Sequence, residues 1–400
     1  MNNNISLYIG IDVSKEKHDI CIKNHDGNLL KHFQITNTKC DLERLYAVVG
    51  KLRNDISDNI EVLFGMEATG IYYFPLYSAL NRDGYSVKIY NPIQTYGYRK
   101  MEIRKTKTDL IDAAIIADML RIHEPPAATA IDNLKLYQLR ELCRVRLRNV
   151  EKRTKCKTQL IRNIDMVWPG YKSVVPTIFG KTSMVILKKY SIPSKVTSNS
   201  FQEFYETIKK TPRTRITRKK LEDIYHNAEN VLSMPEIDSI TRVEIKTLIS
   251  EIELYDTHIQ AIEKKIDQVM EQVNSKIKTV PGIGGVLGAM ILGEIGDVNR
   301  FSSSKKLIAF AGLDPITNQS GRFENTTGPI SKRGSPMLRY ALFIAANVAR
   351  RYDENLKRYY DKKIDNGKHH YSAVNATAAK LLRIIFWVLK NDKEYTVQLT

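Results

Sequence analysis

Cysteine is scarce in these 400 residues, and none of it is arranged for a task. Cys21, Cys40, Cys143 and Cys156 are scattered, with no CxxC pair and no histidine at zinc-finger spacing. That excludes a disulfide framework and a structural zinc motif, and fits reduced thiols in the cytoplasm. The N-terminus MNNNISLYIG has no basic n-region and no long apolar run, so no secretory signal is expected. The longest apolar stretches, near 285–295 and 381–389, fall short of the roughly 20 residues of a membrane helix. No membrane partner is expected.

Positive charge, by contrast, is plentiful: 62 Lys and Arg stand against 44 Asp and Glu, a net +18. Such an excess suits a polyanionic partner, although ribosomal and membrane-surface proteins share it. Its distribution is uneven. Residues 1–125 carry 16 basic and 16 acidic side chains, whereas 135–172 carry 11 and 3. The run 209–220 (KKTPRTRITRKK) has 7 and none, 221–304 has 7 and 14, and 305–400 has 17 and 8. Binding to a polyanion therefore falls to the middle and C-terminal parts.

With 42% hydrophobic residues, the chain is long enough for two or three domains with cores. Residues 5–13 alternate Leu7, Ile9, Ile11 and Val13, the period of a strand. Further strands are expected at 17–24 and 29–37, joined by the turn signal Asp26-Gly27-Asn28, and at 60–66 and 86–90. Helices are expected near 40–54, 71–82 and 108–121. This order makes a mixed α/β sheet over residues 1–128. Residues 129–275 read as helices: a basic one at 134–165, a less regular Pro-, Ser- and Thr-bearing insertion at 166–240, and a heptad seam at 240–274. The seam (Ile245, Leu248, Ile252, Tyr255, Ile259, Ile262, Ile266, Val269, Val273) predicts a coiled coil, paired either with 134–165 or across a dimer. Residues 276–400 form a last helical domain, so the fold class is α/β plus α.

Two acids follow apolar strands: Asp12 ends the first, and Glu67 follows IEVLFGM. Asp109 and Asp112 stand three apart on a helix and share a face. Carboxylate oxygens are the ligands Mg²⁺ takes, and paired ions clamp the oxygens of an in-line phosphoryl displacement. Each acid also has an ordinary reading: Thr108 can cap the helix, with Asp109 favouring its dipole.

The blocks GIDVSK (10–15), MEATGIYY (66–73) and KTDLIDA (107–113) resemble the DEDD signature of RuvC-type insertion-sequence transposases, the IS-one-ten family, which includes Piv-like invertases and bridge-RNA-guided recombinases. The resemblance implies an RNase H-like N-terminal fold. It also implies a Mg²⁺ site (Mn²⁺ as substitute) on Asp12, Glu67, Asp109 and Asp112.

VPGIGGVLGAMILGEIGD (280–297) sets Gly282 and Gly284 ahead of an apolar helix. Glycine lets backbone N–H groups approach phosphate, and the pattern looks like a helix-hairpin-helix; a tight helix–helix corner is the other reading. Next comes a polar loop, 314–336. On residue type alone, Ser320 within it is a turn residue, and no neighbouring His or Asp suggests a hydrolase triad. The block Q-S-G followed by GPISKRGSPMLRYAL matches the transposase domain of the same family, in which the serine at the Ser320 position is the nucleophile on DNA. Ser331 and Ser335 are weaker alternatives, Ser331 more as an orderer of the loop. Lys105, Lys107, Arg213, Arg215, Arg218, Lys332, Arg333 and Arg339 join the two glycines as candidate nucleic-acid contacts, against the plainer reading of solvated charge. Tyr85, Tyr90, Tyr96 and Tyr98 serve either stacking on bases or core packing.

The resemblance implies a DNA recombinase that cleaves and rejoins strands, with donor and target DNA and a structured noncoding guide RNA as partners. It further implies composite sites in a homodimer or homotetramer, within a prokaryotic cytoplasm at the nucleoid. The alternatives are a RuvC-type endonuclease using water, and a nucleic-acid scaffold without catalysis.

Overall fold

The computed structural model describes residues 6–56, 60–67, 72–90, 95, 98, 109–122, 130–212, 216–232, 235–316, 318–320, 323–325 and 329–396; for 109, 130–133, 235, 318–320 and 323–325 it describes the backbone alone. The chain forms two compact units, Met1–Tyr137 with Ile295–Leu307, and Gln138–Glu294 with Ile308–Thr400.

The first unit is a five-stranded mixed sheet. Its elements are β1 (Ser6–Val13), β2 (His18–Lys23), β3 (Leu29–Ile35), α1 (Lys39–Ile56), β4 (Glu61–Glu67), α2 (Phe74–Arg82), β5 (Ser86–Tyr90) and α3 (Asp109–Ile122). Strand order is β3-β2-β1-β4-β5. β1 and β3 each run antiparallel to β2, while β1, β4 and β5 run parallel. Gly27, at φ +87, takes the left-handed position of the β2–β3 turn, where a side chain would be strained.

Alternation divides the sheet's two faces. Leu7, Ile9, Ile11 and Val13 join Phe64, Met66, and Leu45 and Leu80 of α1 and α2 in one core. On the opposite face, Tyr8, Leu63 and Tyr90 pack against Ile115, Ile116, Met119 and Leu120 of α3. β1 is therefore covered on both sides, which is why six of its first six residues are buried.

The second unit holds α4 (Ala130–Val167) from Gln138 onward, the short helices α5 (Tyr171–Val174), α6 (Lys181–Lys189), α7 (Pro193–Thr197), α8 (Phe201–Lys209) and α9 (Arg218–Glu229), and α10 (Pro235–Val273). Arg146 pairs with Glu263 at 2.7 Å, and Arg153 pairs with Asp256. As one number rises the other falls, so α4 and α10 lie antiparallel within one chain. The seam residues Ile245, Leu248, Ile252, Ile259, Ile266 and Val269 are buried there. The pairing of α10 with α4 is thus present within the chain.

The insertion is more regular than its prolines and hydroxyls predict. Pro193 occupies the first turn of α7, where a missing N–H costs nothing, and Ser200 with Glu203 forms a capping box on α8. These residues bound helices instead of breaking them. Trp168, Tyr171, Phe204 and Leu221 form the core, together with Leu160 of α4 and Ile249 of α10.

The remaining elements are α11 (Gly285–Ile295), α12 (Ser304–Ala311), β6 (Asn318–Ser320), β7 (Phe323–Asn325), α13 (Pro336–Ala349), α14 (Glu354–Asp365) and α15 (His370–Asn391). Among the described residues α15 is long and apolar enough to cross a membrane by length and composition. It starts at His370 because Ala, Ser and Thr extend the apolar side. Ala373, Val374, Leu381, Leu382, Ile385 and Val388 are all buried on it, the pattern of a core helix.

Candidate active site

Strand periodicity decides where the acids stand. Residues two apart share a face, so Gly10 and Asp12 lie on the α3 side with Tyr8, and Gly65 and Glu67 with Leu63. Ile11 pairs with Met66 in the parallel β1–β4 ladder. Asp12 and Glu67 are the next residues on their strands, and both stand at the C-terminal ends. They occupy one level on one face, each half-buried.

A missing methyl group brings the helix in. A Cβ on Gly10 would lie 2.0 Å from the carbonyl oxygen of Ala113 and 2.4 Å from the nitrogen of Ala117. Further along α3, Lys23 Nζ contacts Asp118 Oδ2 at 2.5 Å, and Lys23 is paired with Tyr8. Helix α3 thus runs antiparallel to β1, and its first turn lies toward the Asp12 end. That turn starts at Asp109, whose side chain is outside the described set, and contains the buried Asp112.

Three acids of the predicted set are therefore brought to one end of one face. Among the described residues no group of three or more His, Cys, Asp or Glu side chains stands assembled to hold a metal. The donor set is all carboxylate oxygen, which suits Mg²⁺ or Mn²⁺ and not a soft ion. The chemistry of the three described acids would suit such an ion, but their side chains are not assembled around one position.

Three neighbours escaped the sequence reading. Thr95, itself buried, donates to Glu67 Oε2 at 2.6 Å. Asp19 lies directly opposite Asp12 across the β1–β2 ladder and is buried. Counting outward from the turn at 14–17 would have found it. Cys21, opposite Gly10, has its thiol pushed up to about 11, chiefly by burial and despite Lys23, so it stays neutral beside the acids. Of the tyrosines, Tyr85 packs against Phe64 and Tyr46, while Tyr90 and Tyr98 belong to the α3-side core. These three realise the packing reading; Tyr96 is outside the described residues.

In the second unit, the loop expected at 314–336 is a hairpin. β6 pairs with β7, and Ser320 faces Phe323 across the ladder, with only Gly321 and Arg322 between them. Ser320 is thus the last strand residue before the tip; its side chain lies outside the described set. The base is tied down by the Pro315–Ile330 bridge and by Ser331 Oγ, which donates to Asp314 Oδ1 at 2.6 Å. Gly334, at φ +98, would put a Cβ 2.1 Å from the Phe310 carbonyl, so the KRG segment lies flush on the end of α12.

Ser335 caps α13 by accepting from the Leu338 amide, and donates to Glu294 Oε2 at 2.7 Å. Arg144 binds the same buried carboxylate through two nitrogens, at 2.8 and 3.2 Å. Arg339 donates to the Ala311 carbonyl at 3.1 Å, while Lys332 and Arg333 are exposed. Gly282, at φ +81, faces the backbone of Ala345 and Ala349, so helix packing accounts for it; the Gly284 side is open. Arg218 is exposed, pairs with Glu222 and lies over the rings of Phe201 and Tyr205. Lys105, Lys107, Arg213 and Arg215 lie outside the described residues.

Two family models match the chain. A transposase domain model of the DEDD type spans residues 9–169, and that of the transposase IS116/IS110/IS902 family spans 274–361. The chain is a DNA transposase/recombinase, an enzyme. Carrying both transposase domains, it belongs to the IS110/IS116/IS902 family. It is 25% identical to an uncharacterized 42 kDa protein of insertion element IS900 from Mycobacterium paratuberculosis, over 97% of each chain. It is 23% identical to a mini-circle putative transposase for IS117 from Streptomyces coelicolor, over 99% of this chain and 97% of that one. Identity to the pilin gene-inverting protein of Moraxella bovis is 24%, over 97% of each.

Proposed function

We propose that this transposase exchanges DNA strands by metal-dependent phosphoryl transfer, with Ser320 as nucleophile. The observation that carries the reading is the placement of Asp12 and Glu67 at one level beneath the first turn of α3, with Asp112 buried on that helix. We read the sheet as RNase H-like, of the RuvC type. Asp12, Glu67, Asp109 and Asp112 would hold Mg²⁺ or Mn²⁺. When bound, the ion supplies charge stabilisation at the phosphate and a lowered pKa for the attacking hydroxyl.

The protein residues supply the remaining steps. Thr95 fixes the Glu67 carboxylate by its hydrogen bond. Ser320 Oγ gives up its proton and attacks the phosphorus. A 5′-phosphoserine ester forms, the P–O3′ bond breaks, and the departing strand takes a proton as its 3′-OH. Attack by the 3′-OH of a partner strand reverses these bonds and frees the serine, with no external energy source. The place of Ser320 as the last paired residue of β6, on a hairpin anchored at its base, supports this role.

Lys332, Arg333 and the open side of Gly284 then contact phosphates, in a turn of helix-hairpin-helix character. Sequence choice falls to a structured noncoding RNA that pairs with donor and target DNA. The acids and the serine are supplied by a homodimer or homotetramer, at the nucleoid in the cytoplasm.

The test is Ser320→Ala with suicide DNA substrates in Mg²⁺. Loss of the covalent protein–DNA adduct, with DNA binding retained, is expected. An adduct that persists sinks the serine assignment. Nicking that survives Ser320→Ala but not Asp12→Ala identifies water as the nucleophile and an endonuclease instead.

A further inference from the structure

Helices α4 and α10 carry opposite charge. From Gln138 to Val167, α4 holds 9 basic and 3 acidic side chains, whereas α10 holds 4 and 9. Contacts within the second unit engage only part of the basic excess. Arg146 and Arg153 meet Glu263 and Asp256 of α10, Arg144 is bound to Glu294, and Lys157 lies over the Phe179 ring at 4.8 Å. Arg148, Lys152, Lys155 and Arg162 differ. All four are exposed, and among the described residues no acid stands within ion-pair distance of any of them.

With the exposed Gln159, these residues step along the helix by 4, 3, 4 and 3, so they form one ridge. It faces away from Leu139, Cys143, Leu160 and Ile164, which α4 buries. At 1.5 Å per residue the ridge runs for about 21 Å. Glu151 and Asp165 lie beside it and not on it. The helix itself gains nothing from the arrangement. Like charges at these spacings weaken it, and a glutamate at position 152 would pair with both Arg148 and Lys155. A row of unbalanced cations fits a polyanion with regularly spaced charge. The ridge holds no aromatic side chain, so unpaired bases have nothing to stack on. Telling RNA from DNA takes contacts to the 2′-hydroxyl. The flanking hydroxyls of Thr154 and Thr158 donate instead to the Val150 and Thr154 carbonyls of their own helix, at 2.8 and 3.0 Å. What remains is a set of point charges, suited to the backbone of a duplex.

We propose that the outer ridge of α4, formed by Arg148, Lys152, Lys155 and Arg162, is a docking surface for the phosphate backbone of duplex DNA. It holds the duplex without reading it, since contacts to phosphate carry no base information. This rests on DNA as the substrate of the transposase and is independent of the serine and metal assignments. The hairpin of α4 and α10 then has two sides with separate tasks. Acids of α10 neutralise Arg146 and Arg153 on the inner side, and the cations of the outer side are left for the DNA.

The experiment uses the full chain and a DNA duplex of arbitrary sequence longer than the ridge, with affinity followed by fluorescence anisotropy over a range of salt. Lys152→Gln with Lys155→Gln should flatten the slope of log affinity against log salt by about 1–2, one per lost phosphate contact, and weaken unrelated duplexes alike. Arg148→Gln with Arg162→Gln should do the same from the ends of the ridge. Lys264→Gln with Lys265→Gln removes equal charge from exposed positions of α10 and should leave the slope within error of the parent. A parental slope in either ridge variant overturns the proposal, as does equal flattening by the α10 pair. A loss confined to an RNA duplex of the same sequence overturns it in favour of an RNA surface. A change of sedimenting mass in the ridge variants without DNA overturns it in favour of a second copy of this chain. A parent that binds no DNA duplex overturns the proposal together with the DNA reading beneath it.

Discussion

At position 10 the absence of one methyl group sets how deeply α3 lies on the sheet. The Ala113 carbonyl occupies the place of a side chain, and a backbone oxygen cannot rotate away. Gly10→Ala must lift the helix, and Asp112 with it. We expect a loss of at least about 3 kcal/mol in urea unfolding. Gly50, inside α1, is the contrast: a Cβ there meets nothing within 4 Å, and φ is not left-handed. Gly50→Ala should add about 0.5–1 kcal/mol through helix propensity. If both substitutions cost alike, close approach is not what position 10 requires.

Between the elements, one buried carboxylate joins three helices. Glu294 sits in α11, receives two bonds from Arg144 of α4, and receives a third from Ser335, the cap of α13. Ser335 is also the residue at which the serine hairpin returns to helix. Glu294→Ala leaves a guanidinium and a hydroxyl without their acceptor, and should lower stability by about 2–3 kcal/mol. Glu294→Gln, which keeps an acceptor for Ser335, should lose less; equal losses would refute the role of that bond. No sequence pattern reveals this joint, because Arg144 and Glu294 are 150 positions apart and each reads alone as a helix charge. Local signals were legible: alternation placed β1, the apolar run IEVLFGM placed β4, and the 3–4 spacing of apolar residues placed α10. The acids followed, since a strand end is a local feature. Asp19 needed the register of a hairpin, Thr95 needed a tertiary contact, and the hairpin around Ser320 hides in polar residues that also spell a loop.

Across the whole molecule, charge and acids are kept apart in sequence. Residues 1–125 balance 16 basic against 16 acidic side chains, whereas 305–400 hold 17 against 8. With no net charge, that N-terminal stretch offers a polyanion neither attraction nor repulsion of its own. The attraction must then be supplied elsewhere, by basic residues of the second unit that displace counterions from the DNA phosphates. Lys332 and Arg333 are exposed there, as Lys31 and Lys51 are in the first. The salt dependence of duplex binding separates the two groups. Replacing Lys332 and Arg333 by Gln should flatten the slope of log affinity against log salt by about 1–2, one per lost phosphate contact. Replacing Lys31 and Lys51 by Gln removes the same formal charge and should leave the slope within error of the parent. Equal flattening by both pairs would mean that net charge alone draws in the DNA, and that no built surface in the second unit does.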